Sequence, residues 1–131
     1  MVEHPRKNIE QIIREDGRYP PEAYAFLNEG LARAVKEVHG ESSAPPGQRH
    51  VTGQQICKSL RELAVERWGM LARTVLAKWN IRETIDFGNM VYLLIEHGPM
   101  RKTDQDSIED FRNVYTFDEA FHAPDKFELK E

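Results

Sequence analysis

Between residues 9 and 97 the apolar side chains recur at spacings of three and four, and each run is closed by a glycine or an asparagine. That interval sets them along one flank of an α-helix, whereas a half-buried strand would need alternation at every second position. The closing residues are those that accept the left-handed backbone conformation common at helix C-termini. Nothing alternates at period two over the length of a strand. The pattern predicts an all-α protein: a single compact domain of about five main helices with short C-terminal helical turns.

The first run, 5–16, has Pro5 at a position suited to a first helical turn, Ile9, Ile12 and Ile13 as its stripe and Gly17 as its stop. The second, 21–39, has its start marked by Pro20-Pro21 and carries Tyr24, Leu27, Leu31, Val35 and Val38, with Gly30 placed for close packing against another helix and Gly40 as its end. Residues 41–51, with Pro45-Pro46-Gly47, read as an exposed linker. Thr52 and Gln55 form a capping box, and Val51 and Ile56 a hydrophobic staple, ahead of a helix bearing Ile56, Leu60, Leu63 and Ala64 and ending at Gly69. A shorter helix over 70–79 turns Ala72, Val75, Leu76 and Trp79 inward, with Asn80 as a left-handed cap and Ile81 folding back. Thr84 is expected to cap the helix 85–97, whose stripe is Phe87, Val91, Leu94 and Ile95, widened by Met90 and Tyr92, and which stops at Gly98-Pro99. Ser107 caps a short turn with Ile108 and Phe111, and Thr116 with Glu119 repeats the capping-box pattern before Phe117 and Phe121. Residues 99–103 and 112–116 are the one pair of segments suited to a small hairpin, and 1–122 forms the domain with 123–131 as a frayed charged tail.

A length of 131 residues fits one domain, and with 40% hydrophobic residues the chain has enough apolar material for a core. No apolar run nears the roughly 20 residues of a membrane-spanning helix, and Met1–Asn8 holds no apolar stretch of signal-peptide length. A single cysteine excludes an internal disulfide. These features together predict a cytoplasmic protein with no membrane association. The net charge of −4 argues against a general nucleic-acid coat, yet the charge is uneven. Residues 49–82 hold seven basic groups against two acids, and residues 103–131 hold three against nine.

Candidate chemical sites are few. Asp86-Phe87-Gly88 matches a kinase triplet, but the length and glycine-rich loop of a kinase are missing; Asp86 serves a helix N-terminus, Phe87 packs and Gly88 permits close approach. His39, His50 and Cys57, with His4, His97 or His122 as further candidates, lack the spacing of a structural zinc site, so no metal and no cofactor are expected. The acidic run Asp104–Asp110 lacks the central glycine of a calcium loop. Cys57 with His50 is the only candidate nucleophile–base pair, and nothing marks the thiol as activated. As a helix-turn-helix, residues 71–95 fail because 85–97 contains no Lys or Arg to meet a polyanion. A basic face of Arg49, Lys58, Arg61, Arg73, Lys78 and Arg82 is the candidate binding surface.

Taken in order, Tyr19-Pro20-Pro21-Glu22-Ala23-Tyr24 followed by Phe26, Arg49-His50-Val51-Thr52-Gly53, Trp79-x-Ile81, Asp86-Phe87-Gly88, Lys102-Thr103-x-x-Asp106-Ser107-x-x-Asp110-Phe111 and Phe117-x-x-Ala120-Phe121 make the chain similar to a known group. Over roughly 9–121 it resembles a family of small conserved hypothetical proteins from planctomycetes and verrucomicrobia. The resemblance implies a bacterial cytoplasmic protein, brings no activity or cofactor with it, and directs attention to Arg49–Gly53 and Lys102–Phe111. The expectation is a non-enzymatic protein-interaction or adaptor module, with a protein partner or self-association through Trp68, Met70 or Phe26. The alternative is a nucleic-acid- or ribosome-associated factor using the basic segment 49–82.

Overall fold

A computed structural model describes residues 8–40 and 50–121. Six helices follow one another among them: α1 (Ile9–Asp16), α2 (Pro21–His39), α3 (Gly53–Trp68), α4 (Ala72–Lys78), α5 (Thr84–His97) and the single turn α6 (Phe117–Ala120). Short 3-10 turns occupy Gly69–Leu71 and Ile108–Phe111. The all-α expectation holds, and no strand occurs among the described residues. Residues 99–103 and 112–116 form no hairpin because their backbone is engaged elsewhere. Thr103 N–H donates to Asp106 Oδ2, Arg112 N–H to Glu109 O and Val114 N–H to the Thr84 hydroxyl. Pro5, the linker residues 41–49 and the tail 123–131 lie outside the described residues.

Helix α1 starts at Ile9, where the Asn8 carboxamide accepts the Gln11 N–H at 2.7 Å and fixes the first turn. Gly17 stops it at φ 74°. α2 and α3 run antiparallel, Phe26 meeting Trp68 at one end and His39 meeting His50 at the other. Gly30 lets them close: a methyl there would sit 2.8 Å from Leu60 Cγ. The Ser59 hydroxyl, itself buried, donates to Gly30 O across the same contact at 2.8 Å. Outside it, Arg33 of α2 holds Glu66 at 2.6 Å and Glu62 at 3.7 Å, while Glu62 also takes Lys58.

The capping box at Thr52 is formed in both directions with Gln55. Asn80 takes the left-handed conformation, φ 66°, and Ile81 folds back with its N–H on Leu76 O. Thr84 departs from expectation. Glu83 occupies the cap position, its N–H received by Asp86 Oδ2, which leaves the buried Thr84 hydroxyl to donate to Phe111 O at 2.6 Å and accept from Val114 N–H at 3.1 Å. That pair of bonds fastens the C-terminal segment onto α5. Gly88 assists, since a side chain there would strike Phe111.

Leu27, Leu60, Leu76, Ile81, Phe87 and Met90 form the fully buried centre. Two aromatic groups flank it, Phe26–Trp68–Trp79 and Phe87–Tyr115–Phe117–Phe121. The apolar stripes extend beyond the core. Ile9 is 48% exposed and Val38 41%, and Leu31, Val35, Tyr92 and Ile95 are only half-buried. The last four open onto one cleft.

Candidate functional site

The cleft has a volume of about 590 Å³. It lies where α2, the start of α3, the end of α5 and residues 99–111 meet. Its floor is the apolar surplus of the helices, Leu31 and Val35 of α2 and Tyr92 and Ile95 of α5, joined by Met100. The volume falls within the range of small-ligand and peptide-anchor pockets, roughly 300–1,000 Å³.

One wall joins the two segments that the resemblance singled out. His50 Nε2–H donates to Asp106 Oδ2 at 2.5 Å, and His39 Nε2–H donates to the His50 carbonyl at 2.7 Å. The C-terminus of α2, the lead-in to α3 and the 103–106 turn are therefore tied at one point. Asp106 also accepts from the Thr103 N–H and hydroxyl. Burial works to raise the Asp106 carboxyl, but the bonds from Thr103 and His50 together outweigh it and hold the group below the usual carboxylate value. Asp110 caps the neighbouring turn through the Ser107 N–H. Gly53 admits this turn against α3: a Cβ there would lie 2.8 Å from Asp110 Cβ.

On the rim stand Arg101 and Lys102. Neither has a carboxylate within ion-pair distance among the described residues, whereas Arg18, Arg33, Lys58, Arg67, Arg73 and Arg112 all do. Asp106 and Asp110 line the same cleft and spend their oxygens on His50, Thr103 and Ser107, so two cations and two carboxylates share the lining while neither cation is bound to a carboxylate.

The candidate basic face is dispersed. Lys58 pairs with Glu62 beside α2. Arg73 pairs with Asp118 and lines a shallow cleft with Arg82, whose guanidinium donates to Asn80 Oδ1. Lys78 lines a different cleft, together with Arg14 and Arg18. Arg61 is exposed on α3, and Arg49 lies outside the described residues.

Cys57 and His50 form no pair. The thiol is fully buried, burial pushes it up to about 12, and the imidazole is committed to Asp106. Among the described residues no group of three or more His, Cys, Asp and Glu side chains is placed to hold a metal ion. Asp86 does more than serve its helix: it receives Arg82 N–H, Glu83 N–H and the Tyr19 hydroxyl, locking the α1–α2 turn to α5. Phe26, proposed from sequence for self-association, is buried at 2% exposure, while Met70 is 50% exposed and Trp68 half-buried.

Sequence reasoning passed over Arg101, Met100 and the joint role of Leu31 and Val35. Their signal was a surplus, helices with wider apolar faces than one core takes up, followed by an unpaired Arg-Lys after a helix stop. No helix of the described residues is long and apolar enough to cross a membrane. The chain matches no family model, no curated protein and no solved structure.

Proposed function

We propose that this protein is a non-enzymatic interaction module whose main cleft receives a short apolar segment of a partner protein flanked by acidic residues. The observation that carries the reading is the combination at one place of an open apolar floor and two rim cations without carboxylate partners. Apolar side chains of the partner enter against Leu31, Val35, Ile95 and Met100, where burial contributes most of the affinity. Acidic neighbours meet Arg101 and Lys102, which set orientation and partner choice. The His50–Asp106 bond holds the wall in place, so little ordering cost is left for the moment of binding.

The alternative, a nucleic-acid- or ribosome-associated factor, draws less support. A phosphate backbone is met best by a continuous stripe of cations, and the described members of the basic segment are spread over different surroundings, three of them already bound to carboxylates.

A displayed library of random peptides tests the proposal. Selection on the whole protein is expected to enrich apolar pairs next to Asp or Glu, and selection on the Arg101→Glu/Lys102→Glu variant to shift the flank to Lys or Arg. No enrichment, or the same flank with both proteins, overturns it.

A further inference from the structure

A second cleft, of about 600 Å³, opens on another part of the molecule between the α1–α2 turn and the end of α4. Two motifs left unused by the main cleft wall it, Tyr19-Pro20-Pro21 and Trp79-Asn80. Three cations from three separate elements line it: Arg14 from α1, Arg18 from the turn and Lys78 from the end of α4.

The surroundings of these cations are fixed. Gly17 and Asn80 both have positive φ, so each chain reverses sharply here, and the Asn80 amide donates to Arg18 O at 3.2 Å, joining the two reversals. Behind them the Tyr19 hydroxyl donates to Asp86 at 2.7 Å and accepts from Asn89 at 3.1 Å. The Arg18 guanidinium lies 5.7 Å from the Tyr19 ring centroid. Its Nε–H donates to both Asp16 oxygens at 3.1 Å, and one terminal nitrogen lies 3.0 Å from Asp16 Oδ1. That geometry uses one edge of the guanidinium fork and leaves the other for a further acceptor. Arg14 and Lys78 have no carboxylate at ion-pair distance among the described residues. Glu10 is the acid on the rim, and with Asp16 counted as well the cluster keeps a net positive charge.

We propose that Arg14, Arg18 and Lys78 form a binding site for a phosphate group, carried by a small phosphomonoester. A carboxylate offers two oxygens, which one guanidinium already satisfies. A phosphate offers three and up to two negative charges, matching donors supplied by three separate elements. Pro20, Pro21 and Trp79 supply an apolar wall for the organic part of the ester. The three cations line one cleft and form no continuous track, which suits one phosphate and not a polynucleotide backbone. This site is independent of the partner-segment reading of the main cleft.

The test is an amide NMR titration of the whole protein with inorganic phosphate and, separately, with adenosine 5′-monophosphate. Shifts are expected at Gly17, Arg18 and Asn80 and at the Trp79 indole N–H. Arg14→Gln/Lys78→Gln should weaken binding by roughly tenfold or more, as loss of charge-assisted bonds implies, while Lys36→Gln leaves it unchanged. Tighter binding of the nucleotide supports a contribution from the apolar wall; equal binding supports a site that reads phosphate alone. Absence of shifts with both probes, or equal shifts around Arg73, Arg82, Arg101 and Lys102, overturns the proposal. Unaltered resonances away from the cleft in the double variant exclude misfolding as the cause of a loss.

Discussion

Thr84 carries more of the architecture than its place at a helix start suggests. Its hydroxyl is buried and serves two backbone groups of the C-terminal segment, Phe111 O and Val114 N–H. Thr84→Val keeps the shape and leaves both groups unsatisfied, so urea denaturation is expected to show a loss of about 2–3 kcal/mol, with Thr84→Ser retaining most of the stability. Asp106 makes a pH-dependent contribution with a definite sign. Its folded carboxyl lies below the ordinary value, so its stabilisation is present in full above the unfolded value of roughly 3.9 and is lost as pH falls through the folded one. Denaturation midpoints of the native protein and Asp106→Asn should therefore differ at neutral pH and converge below about pH 4. A gap that widens on acidification would contradict the bonding described for the cleft wall.

At the level of elements, most of the helices were legible because local chemistry decided them. Gly17, Gly40, Gly69, Asn80 and Gly98 all take positive φ where the chain ends a helix, and Thr52–Gln55 closes its box without help from tertiary contacts. Boundaries and faces were read less well wherever a distant partner intervened. Thr84 looked like a cap, but the carbonyl of Phe111, 27 residues away, claims its hydroxyl. Val38 belongs to the α2 stripe by spacing and yet is exposed, because the buried face turns toward Ala23, Phe26, Gly30 and Ala34, small or flat groups that let α3 approach. The cleft was the least visible feature, since it is made by the distance between elements and not by any one of them. Two element contacts can be probed directly. Gly30→Ala gains helix propensity but drives a methyl into Leu60, and Gly88→Ala drives one into Phe111. Overpacking is expected to dominate at both, with net losses of about 1–3 kcal/mol by urea denaturation. In Gly88→Ala the Val114 amide should also exchange faster with solvent, as the C-terminal segment loosens from α5.

Across the whole molecule the charge imbalance is partly internal. Asp118 of the acidic portion pairs with Arg73 of the basic one, and Asp106 takes a hydrogen bond from His50, so the two regions brace each other. Among the described residues Arg101 and Lys102 beside the main cleft and Arg14 and Lys78 beside the second have no carboxylate at ion-pair distance, as is also true of Lys36, Arg61 and Arg82 elsewhere. The molecule also exposes an apolar corner at Val65, Met70 and Leu71, the competing place for a partner to dock. Methyl NMR of the protein with the acid-flanked apolar peptide taken from the library separates the two surfaces in one measurement. Intermolecular contacts from the peptide's apolar side chains to Leu31, Val35, Ile95 and Met100 are the expected result. Contacts to Val65, Met70 and Leu71, with the cleft methyls unmoved, would contradict it.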